Sequence, residues 1–208
     1  MKSDSAVSVG YDREEALRSR LNAFMQTRLH LPAQDYYSQL DQQALAELKS
    51  VLSDINNIFT LKVTLAFAEW LSKRLTVDQV VRDEIKQTIL RARPNANGYD
   101  VEISTPFHVI AEVKCNVPIN RGAVYGSAQR EGIEKDVGSL INGKTKSKMR
   151  PDACLKILVL LETPEIRKAT EDLVKNLRQY RDRIVFADSE TKLERRDQVY
   201  VVYVNFGA

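Results

Sequence analysis

A chain of 208 residues carrying 28% charged and 43% hydrophobic residues can bury one substantial core, or one core with a helical extension. The net charge of +3 permits a nucleic-acid partner without requiring one, because 31 basic residues can still gather on one face. Two cysteines exclude a disulfide framework, and no run of about 18 apolar residues suggests a membrane span.

The first ten residues lack the apolar run of a secretory signal, so a cytoplasmic location with no membrane association is expected. Asp12 to Arg28 reads as a polar helix, Gln42 to Leu52 as a second, and Asn56 to Lys73 as a more apolar third. Phe59, Leu65, Phe67 and Trp70 make that third helix bulky enough to lie against a core or in a subunit interface. Residues 1–75 are thus expected to be a helical region packed on a core of residues 76–208, the whole forming one compact domain.

Val77, Val80, Val81, Ile85, Ile89 and Leu90 then recur at helical spacing, with Thr76 as the expected N-cap and Pro94 beyond the end. Next, Val101, Ile103, Val109, Ala111 and Val113 alternate with other residues, as in two strands with one face in a core. A connection through Thr105, Pro106 and Phe107 sets Val101 opposite Ala111, Ile103 opposite Val109 and Asp100 opposite Glu112. The alternative two-residue turn would set carboxylate against methyl and mix the two faces. Opposed carboxylates destabilise a sheet unless something neutralises them, and a divalent cation would do so. Lys114 projects from the same face as Glu112.

An acid entering one strand, followed by Glu112-Val113-Lys114 in an otherwise apolar second strand, resembles the PD-(D/E)xK nuclease superfamily. Tyr99 stands where that family's name has proline. The resemblance covers about residues 80 to 160. It implies a restriction-endonuclease-like α/β (α+β) fold, a mixed central sheet flanked by helices, here with a helical N-terminal region. It further implies catalytic roles for Asp100, Glu112 and Lys114, and a metal held by Asp100, Glu112 and the Val113 carbonyl. Glu84, or its neighbour Asp83, is the candidate acid from the preceding helix. Oxygen ligands without a nearby histidine or thiolate suit Mg²⁺, with Mn²⁺ as a substitute. His30 and His108 are too far apart in sequence to make a zinc cluster alone, and Cys115 and Cys154 lack zinc-ribbon spacing.

Asn120, Arg121 and Tyr125 lie in a glycine-containing loop that is a candidate DNA contact. A helix from Ser127 to Asn142 follows, whose first turn offers Ser127, Gln129 and Arg130 to phosphate. Gly138 to Thr145 matches the phosphate-loop pattern G-x-x-x-x-G-K-[ST], but it overlies a helix end with Gly143 as C-cap, where a phosphate loop must open a helix. Lys144, Lys146, Lys148 and Arg150 suit an extended arm touching the DNA backbone, or a solvated basic loop. The chain closes with a strand from Leu155 to Leu161, a helix near Glu165 to Tyr180, an apolar run at Ile184 to Ala187, and a strand from Val199 to Phe206.

The activity implied is Mg²⁺-dependent hydrolysis of double-stranded DNA, first of all by a homodimeric, sequence-specific endonuclease of the type II restriction class. Repair, recombination and phage-processing nucleases, or a DNA-binding module that has lost catalysis, share the implied fold.

Overall fold

The stretch from Gln42 to Arg74 contains neither glycine nor proline, and nothing in it stops a helix once started. In the computed structural model, which describes residues 11–92, 98–119 and 122–207, it forms one 33-residue helix. The two helices expected at Gln42 to Leu52 and Asn56 to Lys73 are therefore joined as α2 (Gln42–Arg74). The chain divides within it into two compact units, one up to Asp54 and one from Ile55 onward.

In the first unit, α1 (Arg13–Arg28) starts at Asp12, whose carboxylate accepts the Glu15 N–H at 3.1 Å. Asn22 on α1 accepts from the backbone N–H groups of Tyr36 and Tyr37, fixing a short 3₁₀ turn at Tyr37–Gln39. No residue of α1 is buried.

The second unit is a five-stranded mixed sheet with helices on both faces. In chain order it contains the end of α2, α3 (Gln79–Arg91), β1 (Val101–Ile103), β2 (Val109–Lys114), α4 (Ser127–Asn142), β3 (Leu155–Leu161), α5 (Pro164–Asn176), β4 (Ile184–Phe186) and β5 (Val199–Val204). The strand order is β1-β2-β3-β5-β4; β1 runs antiparallel to β2 and the other pairs are parallel. Parallel strands covered on both faces read as nearly continuous apolar runs, as Leu155 to Leu161 does.

One face carries Val101, Ile103, Val109, Ala111, Ile157, Val159 and Val202 under Val63, Phe67 and Leu71 of α2 and Ile85 and Ile89 of α3. The other carries Ile110, Leu158, Leu160, Val199 and Val201 under Ile133, Val137 and Leu140 of α4 and Ile166, Ala169 and Leu173 of α5. Each fully buried side chain of this kind contributes roughly 1.5–3 kcal/mol relative to exposure. The apolar part of α2 from Val63 to Leu71 is thus core.

Local signals moved some boundaries. Asp78, not Thr76, caps α3, accepting the Val81 N–H at 2.9 Å. Thr76 instead sits at φ 52° just beyond α2. The helix expected to reach Tyr180 ends at Asn176, and a 3₁₀ turn at Arg181–Arg183 leads into β4. Pro94 lies outside the described residues. Cys115 and Cys154 are free thiols, both raised above their ordinary pKa first by burial. Among the described residues, no helix is long and apolar enough to cross a membrane.

Candidate active site

The hairpin has the register that the alternation demands. Val101 pairs with Ala111, Glu102 with Ile110 and Ile103 with Val109. Asp100, one residue before β1, faces the far end of β2, and its Oδ2 accepts the Val113 N–H at 2.8 Å. That bond ties the first acid to the residue between the second acid and the lysine. A residue's N–H and C=O leave a strand on the same side, so the Val113 carbonyl also points toward Asp100.

Glu112 lies on the sheet face covered by α4 and is only 3% exposed. Burying a carboxylate there is costly unless it is paired. The Lys144 ammonium supplies the pair, 2.5 Å from Glu112 Oε1, and also donates to the Gly98 carbonyl at 2.9 Å. Its charge lies 5.2 Å from the ring centre of Tyr99, whose hydroxyl donates to the Ser139 carbonyl at 3.0 Å. Burial pushes the Glu112 carboxyl up to about 7; the Lys144 contact pulls it down, while the nearby charges of Asp100 and Asp136 add to the rise. Tyr99 is pushed up to about 12, by burial first and by the Glu112 charge second.

Lys114, on the same face, pairs with Asp136 of α4. Asp136 shares the inward stripe of that helix with Ile133, Val137 and Leu140. An acid in an apolar stripe is a visible signal, yet sequence reasoning missed it. Two carboxylates, Glu112 and Asp136, and two lysines therefore meet between β2 and α4, with Asp100 nearby on the Val113 N–H. The strand acid pairs with a loop lysine, and the strand lysine pairs with a helix acid.

Lys144 is thus bound into the acid cluster rather than extended on a free arm. Gly143, at φ 101°, ends α4 in the left-handed region that favours glycine, and the chain turns back so that Lys144 reaches Gly98. This placement leaves the Gly138 to Thr145 match at a helix C-terminus, where backbone N–H groups do not face a phosphate. Lys146 and Lys148 remain exposed, and Lys146 lines a hollow with Asp100, Glu102 and Thr88.

The remaining candidates separate. Glu84 is exposed on α3 and lines a different hollow, with Glu102, Ser104 and Thr105, so it is not brought to Asp100 and Glu112. Tyr125, expected to touch DNA, is only 2% exposed, and its hydroxyl shares a 2.9 Å hydrogen bond with Thr170 Oγ1; it is a packing residue. Gln129 uses its amide internally, accepting from the Gly126 N–H at 3.0 Å and donating to the Val117 carbonyl at 2.9 Å. Ser127 and Arg130 line a cleft beside Glu131, Glu134 and Asp172, whose acids make it a poor phosphate channel. Asn120 and Arg121 lie outside the described residues.

Among the described residues, no three His, Cys, Asp or Glu groups converge closely enough to hold a metal ion by themselves. The donor chemistry nevertheless suits a hard divalent ion. Asp100, Glu112 and the Val113 carbonyl offer only oxygen, and the Asp100 charge adds to the rise of the Glu112 carboxyl. The Lys144 ammonium occupies a cation's place on Glu112, so an ion binding there has to displace it.

No protein-family model matches the chain, and no curated protein or solved structure does so either.

Proposed function

We propose that the chain is a Mg²⁺-dependent DNA endonuclease, acting as a homodimer on double-stranded DNA in the manner of a sequence-specific type II restriction enzyme. The observation that carries this reading is the hairpin register, which brings Asp100 to the Val113 N–H and leaves Glu112 and Lys114 on one face. Asp100, Glu112 and the Val113 carbonyl would hold the ion, with Mn²⁺ as a substitute. When bound, it lowers the pKa of its water and offsets charge on the phosphorane-like transition state.

The chain's own residues supply the rest. Lys114 brings a positive charge beside Glu112 that can orient a water or steady a non-bridging phosphate oxygen. Asp136 fixes where that charge sits. Lys144 neutralises Glu112, and where an ion held by Asp100 and Glu112 took over that role, its ammonium would be available to the phosphate backbone beside Lys146 and Lys148.

The two closed ion pairs also favour a second reading, a DNA-binding module in which Glu112 and Lys114 are purely structural. One experiment separates the two. Purified protein is incubated with plasmid and phage DNA in Mg²⁺, Mn²⁺ or EDTA, beside a Glu112→Ala variant. The nuclease reading expects discrete metal-dependent fragments that the variant fails to produce. DNA binding without cleavage under either metal would establish the second reading instead.

A further inference from the structure

The carboxyl ends of the parallel strands hold a second feature that the acid cluster does not use. A hollow of about 630 Å³ opens there between α2, α3 and the end of β5. Its volume is within the range of small-ligand sites, and open parallel sheets place ligands at this end. Lys62 and Lys73 reach it from one stripe of α2, and Arg82 and Lys86 from successive turns of α3. Against these four cations stands one carboxylate among the described residues, Glu69, 3.9 Å from Arg82. Lys62, Lys73 and Lys86 are exposed and form no ion pair among the described residues.

Two aromatic rings line the same hollow, and each is held from behind. Trp70 stacks on the fully buried Phe67, with ring centres 6.1 Å apart and planes at 22°. Phe206 meets Phe59 edge-on at 5.4 Å, and the Lys62 ammonium lies 5.7 Å from its ring centre. Rings held from behind among exposed lysines meet both demands of a single nucleic-acid strand: faces on which bases stack, and charge for the phosphates between them. A surface for phosphate alone would not need the rings.

The hollow opens on the sheet face covered by α2 and α3, opposite the α4 face that carries Glu112 and Lys114; measured along the sheet, Tyr203 at its edge stands two strands, roughly 10 Å, from Lys114.

We propose that this groove binds a single-stranded nucleic-acid segment, with Trp70 and Phe206 as the stacking platform and Lys62, Lys73, Arg82 and Lys86 as phosphate contacts. The inference rests on the cleavage reading only for the strand's role as part of a substrate; the binding itself stands apart from it.

Trp70 is the only tryptophan in the chain, so intrinsic fluorescence reports on the groove directly. Short oligothymidylate and oligouridylate are titrated in EDTA, which prevents metal-dependent cleavage. Quenching by either supports the site, and the stronger quencher identifies DNA or RNA as the source. The Glu112→Ala variant is expected to titrate identically, so failure of the nuclease reading leaves this result intact. Lys73→Glu with Lys86→Glu should weaken binding about tenfold while circular dichroism stays unchanged, and Phe206→Leu should weaken quenching. The affinity should fall with salt at a logarithmic slope of about −3, as four phosphate contacts on a single strand require. Absence of quenching by both oligomers overturns the proposal. So does equal quenching by inorganic polyphosphate, unchanged affinity in the charge-reversed variant, or a larger response to anionic phosphatidylserine vesicles.

Discussion

The Lys144 ammonium stands 2.5 Å from Glu112 Oε1, across a sequence separation that joins the loop after α4 to the middle of β2. The pair keeps a buried carboxylate on a sheet face otherwise lined by Ile110, Leu158 and Leu160. It does so incompletely: burial, joined by the charges of Asp100 and Asp136, pushes the Glu112 carboxyl up to about 7 against the pull of the lysine. Such a carboxyl exchanges its proton near neutral pH.

The first prediction concerns stability against pH. Glu112 rises from an ordinary 4.5 to about 7 on folding, so the folded state binds its proton more tightly than the unfolded state. Its stabilising contribution is complete below 4.5, is lost as pH rises through 7, and changes no further above that. The difference amounts to roughly 3 kcal/mol. Asp172, Asp188 and Asp197 are held below their ordinary values by hydrogen bonds from Lys175, Thr191 and Arg195, and act in the opposite sense only in more acidic solution. Urea denaturation between pH 5 and 8 should therefore show falling stability for the natural chain and a flatter profile for Glu112→Gln. Identical slopes would show that Glu112 is not the group responsible.

Metal binding gives a second test that needs no substrate. An ion bound by Asp100 and Glu112 competes with the Glu112 proton, so its affinity should rise with pH. At ten times its dissociation constant it contributes about 1.4 kcal/mol, or about 4 °C in Tm for a domain of this size. Mg²⁺ or Mn²⁺ should raise Tm at pH 8 more than at pH 6, and the rise should vanish in Asp100→Asn. A pH-independent shift retained in that variant would place the ion elsewhere.

The hairpin and α4 were legible in the sequence for a common reason. Alternation across Val101 to Val113 permits one register without mixing faces, and the stripe Ile133, Val137, Leu140 permits one helix orientation. Local rules suffice where each residue's place depends on its near neighbours. They fail for Lys144, whose partner lies 32 residues earlier and is reached only because Gly143 turns the chain back. Asp136 was legible in principle, as the acid within an apolar stripe. Thr76 is the cap expected for α3, but it leaves α2 in a left-handed conformation and Asp78 caps the helix instead.

Asp136 supplies the third prediction. Its contact with Lys114 holds the strand lysine toward α4, so it acts on the proposed chemistry through position alone. Asp136→Asn should lower kcat for DNA cleavage at least about tenfold while leaving KM near its natural value, since small misplacements of a charged group are expensive at a reacting centre. Asp136→Glu should restore part of the loss. Equal changes in kcat and KM, or no rescue by glutamate, would mean that Asp136 serves only folding.

The fourth prediction concerns the proposed homodimer. Leu45, Leu48 and Leu52 recur at three- and four-residue spacing on α2, and Leu45 and Leu52 are each about half exposed. A seam of this period is what two helices bury together, and a two-fold pair would carry two acid clusters, one for each strand of a duplex. Leu45→Glu with Leu52→Glu puts charge into that seam. Sedimentation velocity should show a dimer for the natural chain and a monomer for the double variant. The variant should also nick one strand of a plasmid where the natural chain cuts both. A natural chain that sediments as a monomer while cutting both strands at once would remove the dimer from the proposal, and the two cuts would then have to come from successive visits of a single acid cluster.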